Sequence, residues 1–244
     1  MSPATRPSAF VGGLVALVAL TGCVADQTGT TSNGADVPPP AIAVTGDPAA
    51  ISGAADGIAD DASGIDTVVM IGDSITKGAT PALDERYDLL GLDHLIEAEN
   101  GKRIAVSSPD NASGASIARF IAENGDGDHS DEVWVVALGT NDVGQYAGPD
   151  EIAAAVNEVL DEVPEDAALV WVDTFIADRP EQTDAVNSII RQRVERRGDS
   201  VIAPWTAFVE GDGVLTRDGV HPTIGGADVF AFVVTDTVRA FLDR

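Results

Sequence analysis

From Asp66 onward the chain alternates short Val- and Ile-rich runs with longer stretches of helical apolar spacing. The predicted strands are Thr67 to Ile71, Arg103 to Ser107, Glu132 to Leu138, Ala168 to Asp173 and Ser200 to Ala203. Each is brief and nearly continuous in apolar residues, the pattern of a strand covered on both faces. The predicted helices between them are Pro81 to Glu99, Ser116 to Glu123, Asp150 to Val163, Gln182 to Arg196 and Gly226 to Leu242, several bounded by Gly or Pro. Such alternation requires parallel strands joined by right-handed crossovers, with helices on both faces. The expected fold is α/β: a single three-layer α/β/α domain around a five-stranded parallel, flavodoxin-like sheet, spanning residues 65–244.

The residues before this domain read differently. Arg6 and the terminal amine precede an apolar stretch, Phe10 to Leu20. That stretch is shorter than the roughly 20 residues a spanning helix needs and fits the apolar region of a signal peptide. It ends in Leu20-Thr21-Gly22-Cys23, and Cys23 is the one cysteine of the chain, so no intramolecular disulfide can form. The four residues resemble the lipobox of bacterial lipoproteins. That resemblance implies a signal peptide over residues 1–22, lipidation of Cys23 and membrane attachment through that lipid on the extracytoplasmic face. Two or more acyl chains give stable anchoring where one gives marginal binding. Residues 23–64, rich in Ala, Gly, Thr, Asp and Pro, show no apolar period and read as a disordered tether. A flexible segment of about 40 residues has a root-mean-square reach of roughly 35 Å.

Forty acidic against fourteen basic residues leave a net charge of -26. Nothing in such a balance neutralises phosphates, which excludes nucleic acid as a partner.

In open α/β sheets ligands sit at the carboxyl ends of the strands. There the chain places Gly72-Asp73-Ser74-Ile75, then Asn111-Ala112-Ser113-Gly114, then Gly139-Thr140-Asn141-Asp142. Before the last helix comes Asp218-Gly219-Val220-His221-Pro222. Each fits ordinary turn chemistry alone, since Ser, Asp and Asn cap helices and form turns. Together they deliver a hydroxyl, an amide, an imidazole and a carboxylate to one edge.

These four segments are similar to the four blocks of the SGNH, or GDSL-type, hydrolase superfamily. The second block is the loosest, because the Asn lies closer to Gly114 than is usual. The resemblance implies that Ser74 is the nucleophile, His221 its general base and Asp218 the group that orients and stabilises the imidazole. It further implies an oxyanion hole built from the Ser74 and Gly114 N–H groups and the Asn141 amide, one such donor being worth about 3–4 kcal/mol of barrier. No cofactor and no metal is called for. The acidic loop of Asp126, Asp128, His129 and Asp131 lacks the Gly and distal Glu of a calcium loop, and His94 has no partner motif and reads as structural.

The expected substrate is an acyl ester on an envelope glycan or lipid. Val172-Asp173-Thr174-Phe175, with Asn187 and Trp205, is similar to the extracellular catalytic domains of peptidoglycan O-acetyltransferases. Those normally follow a multi-helix membrane domain, absent from this sequence, which favours hydrolysis over transfer. Aromatic content of 5% and the lack of an apolar lid disfavour a long-chain lipase. The expected activity is a serine esterase acting on short acyl, O-acetyl-type groups. O-acyl transfer by the same residues, a lysophospholipase- or thioesterase-like lipid esterase, and a binding lipoprotein that kept the fold are the other readings.

Overall fold

Five parallel strands form one sheet in the order β2-β1-β3-β4-β5. They are β1 (Thr67–Gly72), β2 (Asp93–Ala98), β3 (Glu132–Ala137), β4 (Ala168–Val172) and β5 (Ser200–Ala203). The helices are α1 (Ser74–Leu90), α2 (Gly114–Asn124), α3 (Pro149–Leu160), α4 (Pro180–Val194) and α5 (Ile224–Leu242). This computed structural model describes residues 64–242 except Asp126. The signal peptide at 1–22, Cys23, all but the last residue of the tether and Asp126 lie outside the described residues.

Alternate side chains of the central strands enter two separate cores. Val68, Met70, Val133, Val135 and Val170 meet Leu83 and Tyr87 of α1 and Phe230, Val234 and Phe241 of α5. Val69, Ile71, Trp134, Val136, Leu169 and Trp171 meet Ala118 of α2, Val156 of α3 and Val186 and Ile190 of α4. Burial on both sides explains why these strands are nearly uninterrupted in apolar residues. The three-layer α/β/α expectation holds.

The second strand and first helix differ from their expected positions. The helix begins at Ser74, and Pro81 lies inside it rather than at its start. It stops after Leu90, where Gly91 takes φ +72° and its N–H donates to Asp88 O at 3.1 Å, a left-handed cap that suits glycine. The chain then enters β2, inside the stretch expected to be helical. As an edge strand β2 buries little, alternating exposed Asp93, Leu95 and Glu97 with half-buried His94, Ile96 and Ala98. A search for apolar runs therefore passes over it. Arg103 to Ser107, expected as the strand, is loop: the carbonyls of Arg103 and Ile104 accept from the N–H groups of Gly114 and Ala115. His94 stands in β2, with Nε2 3.2 Å from Asp84 and Nδ1 3.3 Å from Leu92 O.

Strand order reverses at β1: the chain passes from β1 to β2 on one side, then crosses back to β3 on the other. A crevice opens at such a reversal, outside the carboxyl ends of β1 and β3. The strand-to-helix turn there is tight. A Cβ at Gly72 would stand 2.1 Å from Thr76 Oγ1 and 2.3 Å from Thr76 Cβ. Replacing Gly72 by Ala is expected to lower stability by about 1–3 kcal/mol, the usual cost of overpacking. Chemical denaturation of the two proteins checks this, and equal midpoints would contradict it.

Candidate active site

Ser74 is the first residue of α1, directly after β1, because Asp73 caps the helix with its carboxylate: Oδ1 accepts from Ile75 N at 2.9 Å. The hydroxyl thus stands at a helix N-terminus, where unpaired N–H groups favour negative charge.

The partner of that hydroxyl comes from the loop before α5. His221 Nε2 lies 2.9 Å from Ser74 Oγ, and His221 Nδ1 lies 2.8 Å from Asp218 Oδ2. An acceptor at Nδ1 fixes the neutral tautomer with hydrogen on that nitrogen, leaving Nε2 to accept the Ser74 proton. The spacing of three residues works through a turn centred on the other carboxylate oxygen. Asp218 Oδ1 accepts from Thr216 Oγ1 at 2.7 Å, Val220 N at 2.9 Å and His221 N at 3.0 Å. The hydrogen bond from His221, then the backbone and Thr216 donors, hold the Asp218 carboxyl far below the usual carboxylate range. An antiparallel bridge between Leu215 and Pro222, with Thr216 N donating to His221 O at 2.8 Å, secures the loop. The His221 and Asp218 side chains are 46% and 51% exposed, so the constellation faces open solvent.

Asn141 sits in a short 3-10 turn, Thr140–Asp142, after β3. Its Nδ2 donates to Asp73 Oδ2 at 3.0 Å and to Lys102 O at 3.1 Å. Both amide hydrogens are therefore engaged. Gly114, expected to offer its N–H to the same region, does not: that N–H donates to Arg103 O at 2.9 Å at the start of α2. The loop that does flank the Ser74 turn is Glu99–Lys102, immediately beyond β2. Ala98 pairs with Gly72, and Glu99 N donates to Gly72 O at 3.2 Å. A helix predicted to end at Glu99 and a strand predicted to begin at Arg103 leave residues 100–102 as a bare connection, with nothing local to mark it as part of the site. Lys102 ties it to the next segment, with Nζ 3.0 Å from Ala112 O and 3.3 Å from Asn111 Oδ1.

The sequence profile of the GDSL-like lipase/acylhydrolase family matches residues 70–229. The chain belongs to that family. This GDSL-like chain is thus an ester hydrolase of the SGNH type. No curated protein matches its sequence. Among solved structures it resembles the C-terminal catalytic domain of Streptococcus pneumoniae peptidoglycan O-acetyltransferase A carrying a methylsulfonyl adduct. The TM-score is 0.56 at 19% identity, over 73% of this chain and 96% of that one. A carbohydrate acetylesterase family member from Sinorhizobium meliloti gives 0.56 at 17% identity over 74% and 100%. A member of the lipolytic G-D-S-L family from Veillonella parvula gives 0.55 at 16% over 69% and 95%. At these identities the likeness is one of fold.

The residues that carried the resemblance to peptidoglycan O-acetyltransferases support backbone and core in this GDSL-like chain. Asn187 pairs with both the N–H and the C=O of Thr174, at 2.9 and 2.8 Å. Trp205 is buried edge-on against Phe230. Asp173 accepts from Thr206 N at 2.8 Å and Thr206 Oγ1 at 2.7 Å. His129 of the acidic loop pairs with Glu132 at 3.0 Å, and Asp128 accepts from Ser130. Among the described residues no group of three or more His, Cys, Asp or Glu side chains gathers as a metal site.

Burial pushes the carboxyls of Asp73 and Asp173 each up to about 6. A carboxyl raised above its unfolded value stabilises the fold while protonated, and that contribution disappears as pH rises through the folded value. Asp173 should therefore favour the fold below about pH 4 and stop doing so above about pH 6, a change of order 1–3 kcal/mol. Asp173→Asn keeps the shape, and Thr206 can turn its hydroxyl to accept from the amide. The variant is expected to gain stability relative to wild type between pH 4 and pH 7. Denaturation at both pH values checks this, and parallel pH profiles would contradict it.

Proposed function

We propose that the chain is an envelope-tethered serine esterase that removes short acyl groups, of the O-acetyl type, from a cell-envelope glycan. The observation that carries the reading is the unbroken hydrogen-bonded line from Ser74 Oγ through His221 to Asp218. In this reading His221 takes the Ser74 proton as Oγ attacks the ester carbonyl, and the ionised Asp218 stabilises the imidazolium that forms. His221 then returns the proton to the departing sugar oxygen. Water repeats the sequence on the acyl-enzyme, releasing the acid and the free serine.

The oxyanion would form at the N-terminus of α1, against the Ser74 N–H, and would share or displace one acceptor of the Asn141 amide. In the second loop the Gly114 N–H is spent on Arg103 O. In the Glu99–Lys102 turn the N–H groups of Glu99, Asn100 and Lys102 donate to Gly72 O, Glu99 Oε1 and Glu99 O, which leaves the Gly101 N–H as the donor this turn would offer. Preorganised donors at this position are the largest single contribution in acyl transfer.

The surroundings support a small acyl group on a large carrier. A cavity of about 10 Å³ behind Asp73, lined by Ile75, Thr140, Thr174 and Trp205, is the size of a water molecule. A 520 Å³ groove along α4 and a 120 Å³ groove between α1 and α5 include neither Ser74 nor His221 among their lining residues. Ile224, three residues past His221, is 84% exposed, and the half-exposed imidazole leaves room for a bulky leaving group. Attachment through Cys23 rests on the Leu20-Thr21-Gly22-Cys23 segment and would bring such polymers within reach of the tether.

The test is turnover of p-nitrophenyl esters from acetyl to palmitoyl, by wild type and Ser74→Ala. The expected outcome is a maximum at acetyl and a loss of about a thousandfold or more in the variant. A maximum at long chains, or turnover independent of Ser74, would contradict the reading.

A further inference from the structure

We infer that Asp142, the residue after Asn141, is a positioning residue for the reaction, acting through the Asn141 amide and the Lys102 segment; the inference rests on the esterase reading above. Its side chain is entirely buried, with 0% exposure, and touches neither Ser74 nor His221 by any hydrogen bond. All of its acceptor capacity is directed at one neighbouring segment and at its own loop. Oδ2 accepts from Ile104 N at 3.0 Å. Oδ1 accepts from Arg103 Nε at 3.1 Å and from Tyr146 Oη at 2.8 Å. The Arg103 guanidinium also lies over the Tyr146 ring, 5.2 Å from its centroid.

Two consecutive side chains of the turn after β3 therefore grip three consecutive residues of the facing loop. Asn141 holds Lys102 O, and Asp142 holds Arg103 and Ile104. That loop follows β2 but belongs to no strand. Its far side is held by the start of α2, whose Gly114 and Ala115 N–H groups donate to Arg103 O and Ile104 O, and its near side meets the turn through these side-chain bonds. A buried carboxylate is costly unless fully partnered, and a mere filler at this place could be apolar. What an ionised acceptor adds is direction. It draws a backbone N–H and a guanidinium to set points, and so sets where Lys102 O meets the Asn141 amide. The same amide donates to Asp73, the cap residue next to Ser74. Loosening Asp142 lets Asn141 and the Glu99–Lys102 turn drift from the place where the oxyanion forms, while leaving the Ser74–His221–Asp218 line and the substrate surface in place.

The test is a double-mutant cycle on p-nitrophenyl acetate hydrolysis with the full chain, beginning with wild type and Ser74→Ala. Asp142→Asn is expected to lower kcat about 100-fold, the scale of a small misplacement of a catalytic donor, with KM within about threefold of wild type. In an Asn141→Ala background the same change should cost less than about threefold, because the two residues act as one unit. Tyr146→Phe removes only one of the donors to Asp142. It is expected to show a smaller kcat loss that likewise vanishes when Asn141 is Ala, and it decides the matter if Asp142→Asn does not fold. Equal losses in both backgrounds, a loss confined to KM, or unchanged kcat in a folded variant would overturn the inference while leaving the esterase reading intact. Absence of Ser74-dependent turnover in the wild type would overturn both.

Discussion

The Asp73 carboxylate joins the pieces on which everything else rests. One oxygen caps α1 and so sets Ser74 at the helix start; the other accepts from Asn141 and so draws the loop after β3 against the end of β1. Without the first bond the helix would lack its cap, and without the second the switch-point crevice would lose the link between its two walls. The arrangement has an electrostatic cost, since Asp73 is buried and its carboxyl is pushed up to about 6, with the negative charge of Asp142 adding to the effect of burial. Burial keeps these bonds away from competing water, which is how a short turn can hold two loops in register.

The other half of the site is built on different terms. His221 and Asp218 lie on an exposed loop, and their order comes from local bonds. Asp218 gathers three donors from its own turn, and a single antiparallel bridge closes the loop before α5 begins. The nucleophile is thus carried by a rigid sheet and helix, whereas its base stands on a self-supporting surface turn. Such a division leaves one side of Ser74 open to a large carrier molecule while keeping the 2.9 Å contact between Oγ and Nε2.

Much of this is legible in the residues themselves. Strands covered on both faces must be apolar along their length, so β1, β3, β4 and β5 are visible as Val- and Ile-rich runs. Asp218 and His221 reveal their relation by a spacing of three, because one turn suffices to bring them together. The edge strand β2 is the exception: half its side chains face water, its sequence DHLIEA resembles a continued amphipathic helix, and the cap at Gly91 is the only local sign of a break. A helix predicted over β2 leaves the Glu99–Lys102 turn as a bare connection, and Gly114, given to the oxyanion hole by the resemblance of its segment to the second family block, has its N–H spent on Arg103 O. The grip of Asp142 on Arg103 and Ile104 spans 38 to 39 residues of sequence, and no local pattern announces a contact of that range.

The central claim is that Ser74, activated by His221, forms the covalent acyl intermediate. It is tested most directly by treating the protein with phenylmethylsulfonyl fluoride, which mimics acyl transfer to a serine, and mapping the modified residue by peptide mass spectrometry. The account predicts one sulfonyl group on Ser74, formed rapidly in the wild type and lost when His221 is replaced by Ala. An unmodified Ser74, a label on another serine, or equal labelling without His221 would contradict it.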